Sequence, residues 1–479
     1  MRVNEVQFEL NESRETVALG DSDYHGAANS FSVLHGKNGS GKSALLRIIS
    51  DAALGLDNSR SKVFARAIKI EQTGKINRIF AISGTHNDRF PLNSGMELRT
   101  DANRFDLLHF YYYGPKQSGN YTSVSKASNT IAHSLLNEDE EAQIPNKQLT
   151  DLLGFMGFEP SISIAIRPGL RIRNNKDEAD YFNRLQQHYV DLRREATGPS
   201  KVSISMEFAI GDALAIASGE GFKRLRTSKD PGKIVINFRR APSATIFGSQ
   251  IFSEVLRSPS PRPQSIADFI SIGVFSAKIE LSRSVSGEVV RLDDLSSGEW
   301  QLLYTLLNLS KNITSDSLVL IDEPENSLHP QWQSDYVRLV SRSISHVSGC
   351  HVIIATHSPL IAASVMPEDG NLVQLSRDND VIGRFRTKLE DTAYGWRPGD
   401  VLEERFNLDS ARPPELTAAT DEALRLLKTS SETSPQLREV AERIRSFKRH
   451  LPTYDPLNAV LEAIIDLAFP TKDADGKAE

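Results

Sequence analysis

Apolar and polar residues alternate through Val6, Phe8 and Leu10, the two-residue period of a half-buried strand, and the run Phe31-Ser32-Val33-Leu34 reads as a buried strand. Gly36 to Ser43 is glycine-rich, and Ala44 to Ile49 then takes on helical character, so strand, loop and helix follow one another. Strand-like runs at Val63 to Ile70, Ile76 to Ile82 and Leu107 to Tyr113 predict a β-rich flank. From Lys116 to Ser282 the pattern is irregular, with a helix expected over Asp177 to Arg194. Strands are expected at Ser161 to Ile172, Val202 to Phe208 and Ile234 to Phe238, which together suggest an inserted subdomain. Apolar runs return at Ser317 to Ile321 and His351 to Ala355 around a helix at Trp332 to Ile344, and this alternation predicts a parallel α/β core. Past Pro413-Pro414 the pattern is helical as far as the polar tail Thr471 to Glu479.

A chain of 479 residues allows two to four domains at roughly 100–200 residues each. Its net charge of −6 is too mild for a polyanion-coating protein, so any nucleic-acid surface must be local. Pro160 to Ala241 carries 15 basic against 9 acidic residues, in contrast to the acidic remainder. A single cysteine, Cys350, excludes an internal disulfide and a zinc site of two or more thiolates. No run approaches the ~18 apolar residues of a membrane span and no apolar leader opens the chain, so a cytoplasmic protein without a membrane partner is expected. No heptads extend the helix at Asp177 to Arg194, so a long coiled-coil arm is not expected.

The strongest chemical signal is Gly36 to Ser43, which fits G-x-x-x-x-G-K-S. Backbone N–H groups in such a turn can approach phosphate oxygens because no side chains block them, and a following helix adds its N-terminal dipole. Gly36, Asn38, Gly39, Ser40 and Gly41 would form the cradle; Lys42 would meet the β and γ phosphates, and the Ser43 hydroxyl would bind Mg²⁺. The second signal is Leu318-Val319-Leu320-Ile321-Asp322-Glu323, a buried-strand run ending in two acids. Asp322 would hold the metal through water, and Glu323 would orient the attacking water. Leu295-Ser296-Ser297-Gly298-Glu299 opens a helix about 25 residues earlier; it reads either as an anion site or as ordinary N-cap chemistry. Tyr111-Tyr112-Tyr113 would stack on bases or pack in a core. Arg167, Arg171, Arg173, Arg193, Arg194, Lys223, Arg224, Arg226, Arg239 and Arg240 would form either a phosphate-facing patch or a salt-paired surface.

Taken together these motifs resemble an ABC-type ATPase head across roughly the first 385 residues. Gly36 to Ser43 corresponds to Walker A, Leu295 to Glu299 to a variant signature, Asp322-Glu323 to Walker B, and Glu325-Asn326-Ser327-Leu328 to the D-loop. The resemblance implies that His357, after His351 to Thr356, senses the γ-phosphate. It also implies that Gln117, in Tyr113-Gly114-Pro115-Lys116-Gln117, contacts metal and attacking water as the Q-loop glutamine. Ser43 and Ser296 stand 253 residues apart, far more than in transporter heads. The wording Glu323 to Pro330 and Ala355 to Ile361 is similar to the RecF, SMC and OLD group. Thr392 to Trp396, leading to Val401-Leu402 and Arg405-Phe406, resembles stand-alone defence ATPases of the Septu and retron-associated kind.

This resemblance implies a P-loop α/β fold with a β-rich N-terminal lobe (1–115), an inserted α+β subdomain (116–282), a second ATPase lobe (283–385) and a helical C-terminal region (386–479). It implies a homodimer or larger homo-oligomer closing on ATP and Mg²⁺, with Ser296, Ser297 and Gly298 reaching the partner's γ-phosphate. No fused nuclease pattern follows, so a separate nuclease or toxin would be the effector; the alternative is a RecF-like ATPase whose insert binds DNA. Ser297-Gly298-Glu299 departs from the family's Gly-Gly-Gln and leaves the trans contact open.

Overall fold

A computed structural model describes residues 1–10, 13–20, 29–55, 65–85, 88–90, 110–115, 124–137, 146–169, 183, 232–239, 243–247, 263–271, 273–377, 385–429 and 434–469. The chain divides into two compact units, 1–395 and 396–479. The larger begins with β1 (Arg2–Leu10), β2 (Ser13–Ala18), β3 (Ser30–His35), α1 (Lys42–Ala53), β4 (Ala65–Thr73), β5 (Ile79–Ser83) and β6 (Phe110–Tyr113). There follow α2 (Val124–Leu136), α3 (Asn146–Phe155), β7 (Phe158–Pro168), β8 (Gly232–Asn237), β9 (Ser243–Phe247), α4 (Pro263–Ser271), β10 (Phe275–Arg283) and β11 (Val289–Arg291). It closes with α5 (Ser297–Asn312), β12 (Leu318–Asp322), α6 (Pro330–Ser343), β13 (His351–Ala355), α7 (Pro359–Ala362), β14 (Gly370–Arg377) and β15 (Phe385–Glu390).

The central sheet has the order β15-β14-β3-β13-β12-β5-β6 and is parallel except for β15. Strands β3, β5, β12 and β13 are buried at every position, which is why their sequences are nearly unbroken apolar runs. Parallel strands place their carboxyl ends on one edge, so the loops after these four neighbours converge there. Helix α1 packs beneath them through Leu45, Leu46 and Ile49. A second sheet, β2-β1-β4, is antiparallel, and β1 buries Val3, Val6 and Phe8 on one face. It is tied to the core by Val3 N, which donates to His351 Nδ1 at 3.1 Å, while Ser32 Oγ lies 3.0 Å from Nε2. Burial lowers the His351 pKa to about 3, so this ring is a neutral structural group.

Of the three runs expected on the β-rich flank, only Val63 to Ile70 contributes there, through β4 from Ala65 onward. Ile76 to Ile82 and Leu107 to Tyr113 instead contribute β5 and β6 to the central sheet, because β5 pairs with β12 in parallel from Ile79↔Leu318 onward. In a third, antiparallel sheet, β11-β10-β7-β8-β9, β7 covers the run expected at Ser161 to Ile172 as far as Pro168, and β8 covers that at Ile234 to Phe238 as far as Asn237. Of the helix expected at Asp177 to Arg194 only Asn183 is among the described residues, in helical conformation, and the strand expected at Val202 to Phe208 lies outside them.

The smaller unit holds α8 (Pro398–Glu404), α9 (Pro414–Thr429), α10 (Pro435–Lys448) and α11 (Leu457–Ala468). Leu416, Ala419 and Ala423 of α9 meet Leu437, Ala441 and Ile444 of α10 and Leu461 and Ile464 of α11. Arg412 adds a bidentate pair with Asp455, at 2.8 and 2.9 Å. Among the described residues no helix is long and apolar enough to cross a membrane.

Candidate functional site

The loop after β3 turns back on itself through Ser40 N, which donates to Lys37 O at 3.1 Å, and leads into α1 at Gly41, whose φ of 103° is left-handed. A Cβ at Gly41 would also stand 2.2 Å from the Phe385 ring, so conformation and space both demand glycine here. Lys42 is buried within the loop. Its Nζ donates to Gly36 O at 2.9 Å and Lys37 O at 3.4 Å, and lies 3.4 Å from His357 Nδ1. Burial lowers its pKa to about 8 against the opposing pull of Glu323, Glu325 and Asp322. Asn38 and Gly39 form the exposed tip.

The next residue, Ser43, donates its hydroxyl to Asp322 Oδ1 at 3.0 Å. Asp322 ends β12 and is 1% exposed; its other oxygen, Oδ2, is buried without a hydrogen-bond partner. Burial raises this carboxyl to about pKa 7; the Ser43 bond opposes that shift, and the charges of Glu323, Asp88 and Glu325 add to it. A hydroxyl beside an orphaned carboxylate oxygen is a hard-oxygen donor set that suits Mg²⁺. Among the described residues no group of three or more His, Cys, Asp or Glu side chains could hold a metal ion.

Glu323 adopts φ 47°, unusual for a non-glycine residue, while its N–H still donates to Ala355 O at 2.9 Å. Its carboxylate is flanked by Asn326 Nδ2 at 2.9 Å and His357 Nε2 at 3.7 Å. Burial, followed by the Lys42 charge, holds the His357 pKa below its ordinary value, so the imidazole is neutral near pH 7. Glu325, in the D-loop segment, accepts from Thr356 Oγ1 at 2.8 Å and from His357 N at 2.5 Å, fixing one loop to the other. The partner of Glu325 thus lies 31 residues away in the chain, at Thr356.

The signature segment begins α5. Ser296 Oγ accepts from Glu299 N at 3.3 Å and Glu299 Oε2 accepts from Ser296 N at 3.0 Å, a capping box. Arg283 Nη2 donates to Glu299 Oε1 at 3.0 Å. Burial would raise the Glu299 carboxyl, but its bonds to Ser296 and Arg283 outweigh that and hold it below the usual range. The acid in place of glutamine therefore has a local partner. Ser296 and Ser297 are exposed, whereas Gly298 is buried where a Cβ would meet Ser327 O at 2.2 Å. Gly298→Ala is expected to push α5 off the D-loop and destabilise the larger unit by about 1–3 kcal/mol, read as a lower Tm.

Loops from β3, β12 and β13 thus bring Lys42, Ser43, Asp322, Glu323 and His357 together. Gln117 lies outside the described residues. Tyr111 stacks on Phe80 at 4.9 Å, and Tyr113 is buried edge-on to Tyr304, so both tyrosine rings pack internally. Of the ten basic residues, Arg167 is exposed and Arg239 is ion-paired with Glu159; the other eight lie outside the described residues.

A phosphate-cradle loop, a strand-end acid pair and a strand-end histidine on a parallel sheet define a P-loop nucleotide-binding protein of ABC type. Residues 31–363 match the family described as "AAA domain, putative AbiEii toxin, Type IV TA system", and the chain belongs to it. It is 26% identical over 172 residues to Septu protein PtuA of Bacillus thuringiensis, covering 33% of this chain and 43% of that protein. It is 34% identical over 104 residues to the OLD nuclease of Thermus scotoductus, covering 21% of this chain and 19% of the nuclease. The matches therefore span less than half the length of these relatives. The SMC head domain from Thermotoga maritima aligns over 82% of this chain and 99% of that one at 11% identity, with a TM-score of 0.30, too low to bear on the fold.

Proposed function

We propose that this chain binds and hydrolyses ATP, dimerises around the nucleotide, and gates or scaffolds a separate effector in anti-phage defence. The observation that carries this reading is the cluster of Lys42, Ser43, Asp322, Glu323 and His357, while Ser296 and Ser297 stand exposed at another helix start. Lys42 binds the β and γ phosphates, exchanging loop carbonyls for phosphate oxygens. Ser43 and Asp322 are the residues that would hold Mg²⁺, and when bound the ion would supply positive charge to offset the triphosphate. Glu323 orients the attacking water and accepts its proton, and neutral His357 donates toward the γ-phosphate. A second copy presents Ser296, Ser297 and the buried turn at Gly298, so closure of the pair completes the site. Likeness to Septu PtuA and the OLD nuclease supports the defence setting.

Ser297→Arg tests the trans contact better than a change at Ser296, whose hydroxyl caps α5 and contributes about 1 kcal/mol. The arginine is expected to block hydrolysis while ATP affinity stays at the wild-type value. Loss of affinity in the monomer would contradict a contact supplied by the partner. For the effector, co-purification with a nuclease or toxin encoded alongside is expected, together with hydrolysis indifferent to added DNA; DNA-stimulated hydrolysis with a steep salt dependence would instead support the DNA-binding alternative.

A further inference from the structure

The turn after β12 presents two consecutive side chains to the site. Asn326 Nδ2 donates to Glu323, while Glu325 takes hold of the loop after β13, its Oε1 accepting from His357 N at 2.5 Å and its Oε2 from Thr356 Oγ1 at 2.8 Å. Thr356 is fully buried, and its hydroxyl also accepts from Ser358 N at 2.9 Å, which leaves its proton for the carboxylate. Both oxygens of Glu325 are therefore engaged by donors from one loop. The turn itself is closed by Asn326 N to Glu323 O at 3.4 Å and Leu328 N to Glu325 O at 3.0 Å. A second clasp lies beyond the histidine, where Gln333 of α6 accepts from Ser358 Oγ at 2.7 Å and donates to Leu328 O at 3.0 Å. His357 sits between the two clasps.

The ring carried by this backbone meets a group on either side. An ammonium has N–H donors and no acceptor, so Lys42 Nζ, 3.4 Å from Nδ1, fixes that nitrogen as the acceptor. The neutral ring then carries its proton on Nε2, which lies 3.7 Å from Glu323 Oε1. The donating tautomer is thus selected by where the ring sits, and that depends on the backbone N–H held by Glu325. Moving the ring about 1 Å away from Lys42 would take Nδ1 out of hydrogen-bond reach and leave the tautomer unselected.

We propose that Glu325 is a positioning residue for His357: its two oxygens fasten the loop after β13 so that the imidazole stands between Lys42 and Glu323 with its proton on Nε2. The proposal rests on the ATPase reading and deepens it, giving the D-loop a task within its own copy of the chain.

Glu325→Met keeps the length of the side chain and removes both oxygen acceptors. In the full chain it is expected to lower kcat for ATP about 10²-fold, the scale on which a misplacement of about 1 Å costs rate. ATP affinity by calorimetry should not fall, because the bonds within the cradle do not pass through residue 325; a merely structural defect would lower both. Added to His357→Ala, the same substitution should cause no further loss, since there is no ring left to place. An equal fold-loss in both backgrounds, or the wild-type rate in Glu325→Met, overturns the proposal. Should that variant not fold, Glu325→Gln, which leaves one acceptor for two donors, carries the same comparison with a smaller loss, and the wild-type rate there overturns it instead. Histidine-selective ¹⁵N NMR supplies a readout without nucleotide, the His357 signals being assigned by their disappearance in His357→Ala. One tautomer protonated at Nε2 is expected in the unmodified chain and a mixture in Glu325→Met; identical His357 signals in the two overturn this inference alone. Absence of ATP hydrolysis by the unmodified chain would overturn the functional reading, and this inference with it.

Discussion

Lys42→Ala is expected to lose nucleotide binding. The Lys42 ammonium is buried among the carbonyls of Gly36 and Lys37, with burial outweighing the attraction of Glu323, Glu325 and Asp322. Triphosphate oxygens offer that cation the charge-assisted bonds the carbonyls do not, and each such bond contributes about 1.5–3 kcal/mol. Losing two of them lowers affinity by about 100-fold or more. Lys42→Met preserves the stem's packing and should lose the same affinity, which separates charge from volume. A pH profile adds an independent check. Burial lowers the Lys42 pKa to about 8 and a bound triphosphate would raise it, so binding above pH 8 requires uptake of a proton. Wild-type affinity should therefore be level below about pH 8 and fall above it, and the methionine variant should show no such limb. Calorimetric titration with Mg²⁺·ATP measures both, and wild-type affinity in either variant would remove Lys42 from the cradle.

The cradle and the strand-end acids were legible in the sequence because their chemistry depends on short, contiguous segments: a glycine turn, one lysine, and an apolar run closing on Asp322-Glu323. The parallel core was legible for the same reason, since β12 and β13 are buried on both faces and read as unbroken apolar runs. Sheet membership was not legible. Ile76 to Ile82 carries the pattern of any buried strand, and only its pairing with Leu318 to Asp322 places it beside the acids. Contacts across long separations were equally hidden. Glu299 looked like a departure from a glutamine until Arg283 appeared beside it, and His35 gave no hint of Glu390, 355 residues on, whose Oε2 lies 3.1 Å from its ring at the foot of the cradle.

Glu323→Gln should bind ATP and scarcely hydrolyse it. Glutamine keeps the length, can adopt the same left-handed backbone at similar strain, and still offers an oxygen to Asn326 Nδ2. What it lacks is the negative charge beside His357 and the ability to accept a proton from water. Removing a general base typically costs about 10²–10⁴-fold in rate. Affinity should hold or rise slightly, because one of the carboxylates that faces Lys42 is gone and the triphosphate meets less repulsion. If closure of two copies requires intact triphosphate, the variant should accumulate as a dimer under ATP and Mg²⁺, visible by light scattering, while the wild type under the same conditions cycles back to monomer. Addition of Ser297→Arg to the same chain should abolish that dimer yet leave nucleotide bound, since the arginine disturbs only the surface offered to the neighbour. Hydrolysis at the wild-type rate in Glu323→Gln would take the carboxylate out of the reaction. A variant that holds ATP and stays monomeric would leave the active-site cluster standing but remove the composite site, and with it the reason for Ser296 and Ser297 to stand exposed at the start of α5.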